Sequence, residues 1–290
     1  MKSINVLALP KPAALALPIL LSLNGCSYVI DSATENFSQQ LKQAVMDYND
    51  PATVTSALPA YLLLQEATLK GDGDNPERLL ATANLYNAYL SLLPDDSISK
   101  QRLSEKSLDF ALRGICLYDE RWCELQQKPF EHLQNLLMQT DENDLAPLYG
   151  LGSAWASWIQ AHKGDWNAVA QLIKVKAIMQ RVLELDENHQ QGAAHLYLAV
   201  MESLVPENLG GNPAQAKQHF ERAQQLAPDN LMTRVLYAKY YARMTFDREL
   251  HDSLLKSTLS AQPATPGLTL INTLAQQQAQ QLLDSGNDYF

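Results

Sequence analysis

Glycine and proline are sparse, 12 and 14 in 290 residues. Most of them fall between stretches of apolar periodicity, as expected of helices joined by short connections. Alternating runs of Val, Ile and Thr are missing, which argues against strands. Basic residues are in deficit: Lys and Arg number 22 against 32 Asp and Glu, a net charge of −10. A nucleic-acid partner needs a basic face, and so does adhesion to anionic lipid by charge; this balance argues against both. Familiar chemistry is missing too. The six histidines are scattered, with no His-Glu-x-x-His pair. Gly150-Leu151-Gly152-Ser153-Ala154-Trp155 starts like a dinucleotide loop, but Trp155 stands where the third glycine is needed and no strand precedes it. Nor is it a Gly-x-Ser-x-Gly elbow. No set of Cys and His has zinc-ligand spacing. Hence no catalytic residue, metal or cofactor is expected. A hydrolase whose carboxylates meet only in space has no positive support. His195, on an apolar helix, reads as a hydrogen-bonded core histidine rather than a ligand.

What is present is helical period. The pattern is clearest from Leu209 to Leu255. Leu209-Gly210-Gly211-Asn212-Pro213 opens a helix carrying Ala216, Phe220 and Ala223 on one face. The two alanines let a second helix approach while the ring fills the gap. Pro228-Asp229-Asn230 turns into a second helix with Tyr237, Tyr240 and Tyr241, and a third begins near Asp247-Arg248. This grammar resembles a tetratricopeptide array, with a period of about 34 residues. Upstream, Asn75-Pro76 starts a helix with Pro in its first turn. Further helices are expected over Leu58–Leu69, Ser99–Cys116, Pro129–Met138, Ala146–Gln160, Trp166–Leu185 and Gly192–Leu204, and a last one over Leu268–Leu283. The count is about a dozen, mostly antiparallel neighbours. The fold expected is all-α: a right-handed α-solenoid of antiparallel helix pairs with tetratricopeptide-like repeats. The longer Val205–Asn212 loop interrupts the repeat and is the first place to look for function.

The N-terminus has its own grammar. Lys2 precedes an apolar run from about Pro12 to Leu23, shorter than the roughly 20 residues that span a bilayer. The run ends in Leu23-Asn24-Gly25-Cys26, which resembles a bacterial lipobox. The resemblance implies a signal peptide over 1–25, cleavage before Cys26 and lipid on its thiol. Acyl chains would anchor the protein firmly, since each buried CH₂ contributes about 0.8 kcal/mol. Ser27 after the cysteine favours the outer membrane over the inner, by resemblance to enterobacterial sorting. Residues 26–55 are expected as a tether with a short helix, and 56–290 as one helical domain. Cys116 and Cys123 flank a turn and suit either a disulfide, which an oxidising periplasm permits, or two buried thiols.

The aromatic residues also have two readings. Trp155, Trp158, Tyr197 and Tyr237 either pack between helices or line an apolar channel on the inner surface of the solenoid. Gly152, Ala154, Gly192, Ala193 and Ala199 allow close helix packing or leave space. Tyr240, Asp247 and Arg248 are candidates for a partner-binding surface; Asp247 and Arg248 also suit a helix cap and a local pair.

Several segments together resemble one family. They are Tyr149-Gly150 through Trp155, Trp158 and Gln160; Gly192-Ala193-Ala194-His195-Leu196-Tyr197; and Leu209 to Pro213. Ala216, Phe220 to Ala223, Leu236 to Ala238, Tyr241 to Arg243, Phe246 to Arg248 and Leu270 to Gln276 join them. The combination resembles the TatT family, the T component of tetratricopeptide-associated TRAP transporters. The resemblance implies a non-enzymatic periplasmic lipoprotein that associates as a homotrimer with a pore through each protomer. It implies a partner, a periplasmic solute-binding protein, and passage or shelter of a small, hydrophobic organic ligand bound for a sodium-coupled permease. The alternative is a tetratricopeptide scaffold lipoprotein for envelope or outer-membrane assembly.

Overall fold

The computed structural model describes residues 40–70, 75–94, 98–204, 207 and 211–290. The signal peptide, Cys26, most of the tether and most of the Val205–Asn212 loop lie outside the described residues. The chain divides into two compact units, Met1–Val45 and Met46–Phe290. Of the first, residues 40–45 are helical. The second carries all the elements that follow.

Sequence punctuation sets the helix starts. Helix α1 (Pro51–Leu69) begins where the Asp50 carboxylate accepts from the Ala52 N–H. In α2 (Pro76–Leu90) the Asn75 side chain accepts from the Arg78 N–H. Both have Pro in the first turn, where its missing N–H removes nothing from the helix. Helix α3 (Ile98–Tyr118) leads to a 3₁₀ turn, Glu120–Trp122, and to α4 (Phe130–Leu137). Then comes α5 (Leu145–Ala161), preceded by a capping box in which Asp141 and Asp144 each bond the other's backbone. The long helix expected over Trp166–Leu185 is two: α6 (Trp166–Val169) and α7 (Leu172–Leu185). No Gly or Pro marks that break.

The turn after α7 is tight. Gln190, Gln191 and Gly192 all have positive φ, at 49°, 59° and 74°. Glutamine rarely adopts this conformation, so the turn is held by its surroundings. A Cβ on Gly192 would also stand 2.5 Å from Leu226 Cδ1. Glycine is therefore required there on two counts.

Helices α8 (Ala193–Glu202) and α9 (Pro213–Leu226) follow. Next is α10 (Met232–Leu236), which widens into a π-helical turn over Tyr237–Ala242. Helices α11 (Arg248–Ser260), α12 (Thr269–Asp284) and the single turn α13 (Gly286–Tyr289) end the chain. The described residues contain no strand.

Two sets of contacts organise this unit. Each main helix packs on the next, α2 on α3, α3 on α5, α5 on α7, and so on through α8, α9, α10, α11 and α12. Alternate helices also meet: α2 with α5, α5 with α8, α8 with the π turn, and α10 with α12. The fold is all-α, and this connectivity fits a helical-repeat architecture. The main core runs through α3, α4, α5, α7 and α8, around fully buried Trp155, Leu148, Leu151, Ile178 and Met179. A Cβ on Gly152 would lie 2.8 Å from Met179 Cε and 3.0 Å from Ile178 Cγ2. The small residue thus serves close packing of α5 on α7 rather than leaving space. Farther along, Phe220 stacks on Tyr237 at 4.7 Å, with Ala216 and Ala223 buried beside it.

Candidate functional site

Helices α2, α5 and α8 meet along a strip of neutral polar and aromatic side chains. The Ser157 hydroxyl of α5 donates to Asn87 Oδ1 of α2. The Asn87 side chain and Tyr149 of α5 both lie against the Tyr197 hydroxyl of α8. The two phenol rings meet edge to face at 6.2 Å, and Tyr149 also meets the His189 ring at 5.1 Å. Ser153, buried beneath, donates to Gly150 O at 3.0 Å and lies against the Tyr197 hydroxyl.

Electrostatically the strip is quiet. Burial pushes both phenols up from their ordinary value and pushes His189 down, against the pull of Asp186. All three groups are neutral near pH 7. Yet Tyr149, Tyr197 and Asn87 keep part of their surface accessible. The arrangement can offer hydrogen bonds and aromatic edges to a neutral guest. It has no nucleophile paired with a base, and no charge to stabilise a transition state.

The residues expected to line a channel divide into three groups. Tyr197 belongs to the strip. Trp158 is half-buried on the same core and tilts against His162 at 5.1 Å. Trp155 is fully buried behind them, with Lys174 Nζ 5.8 Å from its ring. Tyr237 lies apart, in the cluster of Phe220 and Ala199.

The expected partner-binding residues lie in the π turn and at the start of α11. Gln160 Nε2 donates to the half-buried Tyr240 hydroxyl at 3.3 Å, linking α5 to the π turn. Asp247 is exposed and caps α11 by accepting from the Leu250 N–H at 2.9 Å. Arg248 is exposed and donates to Asn287 Oδ1 at 2.5 Å. Both therefore carry local structural bonds. The sulfurs of Cys116 and Cys123 stand at bonding distance, 1.97 Å, closing a loop around buried Trp122.

Three polar assemblies escaped sequence reading. Lys174 is buried and donates to the carbonyls of Leu125, Gln126 and Lys128 at 2.7, 3.1 and 2.8 Å. It holds the loop before α4, and burial lowers its pKa. Asn272 is fully buried and ties two loops together. Its Oδ1 accepts from the Leu231 N–H, and its amide donates to Asp229 O and Pro263 O. His195 is buried, as expected, but its partners are His219 and Glu187, and Glu187 is gripped by Arg222. No local spacing signals these groups, because their partners lie on other elements, from 8 to 49 residues away.

Fold and strip define a class: an all-α protein consistent with a helical-repeat architecture, whose described residues hold no group of three or more His, Cys, Asp or Glu side chains able to bind a metal. Residues 47–290 match the family described as the TRAP transporter T-component, and the chain belongs to that family. The match covers every helix from α1 to α13. Membership makes the protein an accessory of transport rather than an enzyme, and it implies association with a periplasmic solute-binding component. No individually curated protein gives a match. Among the described residues, no helix is long and apolar enough to cross a membrane.

Proposed function

We propose that the protein is a periplasmic lipoprotein that docks the solute-binding component of a TRAP transporter and shelters or passes its small organic ligand. The observation that carries this reading is the family match over 47–290. Helix connectivity supports a right-handed solenoid of tetratricopeptide-like pairs, with α2, α5, α8 and α10 forming one of its two helix layers. The strip of Asn87, Tyr149, Ser157 and Tyr197 lies where those helices meet and is the proposed wall of the ligand path, with Trp158 beside it. Tyr240, Asp247 and Arg248 are proposed for the docking face. Cys26 is the proposed lipid attachment, holding the protein to the outer membrane rather than the inner. Three copies are proposed to associate. The alternative of an envelope-assembly scaffold shares the anchor and the repeats but not the family match.

One experiment tests docking and anchor together. Protein purified through an affinity tag from a detergent extract of its own host should bring the solute-binding component with it. Cys26→Ser should shift both to the soluble periplasmic fraction. A tagged protein that returns without that component contradicts the docking role. A Cys26→Ser variant that stays with the membrane contradicts the anchor alone.

A further inference from the structure

Of the polar assemblies among the described residues that the transport role does not use, the histidine pair alone joins two titratable rings. His195 of α8 and His219 of α9 face each other with Nδ1 atoms 2.8 Å apart. Their ring centroids are 5.1 Å apart. The difference between those distances is about the two ring radii, so each nitrogen points nearly straight at the other, as in a linear hydrogen bond. Two lone pairs ligating one metal would instead converge on a point to the side.

The proton count follows from the neighbours. His195 Nε2 lies 3.0 Å from Glu187 Oε1, and an ionised carboxylate only accepts. Neutral His195 therefore carries its proton on Nε2 and presents a bare Nδ1. His219 must then donate from its own Nδ1. One added proton leaves this bond intact, on whichever ring it settles, because a single N–H still lies between the facing nitrogens. A second added proton puts an N–H on both and breaks it.

The surroundings favour one added charge and oppose two. The turn after α7 presents Asp186, Glu187 and His189. Arg222 of α9 grips Glu187 through Nε and Nη2, at 2.8 and 2.6 Å. Glu202 of α8 acts on His219 and is itself paired with Lys176 of α7 at 2.9 Å.

We propose that His195 and His219 form a proton-binding pair that latches α9 to α8 and to Glu187 at the end of α7, and that its second proton opens this joint in mild acid. Burial and the facing His195 lower the pKa of His219 below its ordinary 6.5. The sign is then determined: the unfolded chain binds more protons below that value, so the latch's contribution is complete above pH 6.5 and falls as pH drops through the folded value. Glu187 titrates in a separate, lower range.

The test compares thermal unfolding of the wild type and His219→Gln from about pH 7.5 to about pH 5. Glutamine can donate to His195 Nδ1 but cannot take a proton. The expected result is that His219→Gln removes about half or more of the fall in Tm seen in the wild type. Equal falls in both overturn the proposal. Should the variant fail to fold, ¹⁵N-edited NMR of the wild-type imidazoles decides. Coupled titration of the two rings, with the second step below pH 6.5, supports the latch. Independent single-step titrations of both rings near 6.5 overturn it.

Discussion

Glu187 shows how a single side chain can join distant parts of this chain. Its carboxylate accepts a two-point bond from Arg222, 35 positions away, and a third bond from His195. The Arg222 hydrogen bonds, then that of His195, hold its pKa at about 2 against an ordinary 4.5. A depressed carboxylate stabilises the fold above its unfolded value, and that stability is lost as pH falls from about 4.5 to about 2. Glu187→Gln should therefore lower Tm at neutral pH, and the gap to wild type should close as pH nears 2. Scanning calorimetry across that range checks it; a gap that stays constant down to pH 2 contradicts the assignment. None of this is visible in Leu185-Asp186-Glu187-Asn188, which reads as an ordinary helix end. Asp247 is the opposite case. A short acidic residue before an apolar helix announces a cap, and the structure has it capping.

Elements were legible where local chemistry decides them. Asn75-Pro76, Asn212-Pro213 and Asp247 mark helix starts because cap and first turn are sequence-local. Breaks set by packing were not. Helix α7 separates from α6 without Gly or Pro, and the π turn over Tyr237–Ala242 looks in sequence like plain helix. Helix α12 shows both sides. Leu270, Leu274 and Leu282 turn inward as their spacing predicts. Buried Asn272 between them breaks the apolar rule, because it meets three backbone groups of two loops. Replacing it should leave those groups unmet. Asn272→Leu is expected to cost about 2–4 kcal/mol in urea unfolding. A loss under about 0.5 kcal/mol would place Asn272 among surface-like positions and contradict this account.

For the whole molecule, several aromatic residues that carried the family resemblance lie at helix contacts. Tyr149 and Tyr197 meet across α5 and α8, and Phe220 stacks on Tyr237 across α9 and the π turn. That is why a scattered set of aromatic and small residues could identify the family, whereas no single repeat could. The neutral strip was only half legible. Tyr197 and Trp158 stood out as aromatics, but Asn87 and Ser157 gave no signal until α2 and α5 were brought together. The proposed transport role requires a defined partner, docked at the face of Tyr240, Asp247 and Arg248. Calorimetric titration of the solute-binding component into a soluble form beginning at residue 27 tests it most directly. The account predicts saturable one-to-one binding per protomer with Kd of about 10 µM or tighter. No heat beyond dilution with both proteins folded at about 100 µM would contradict it.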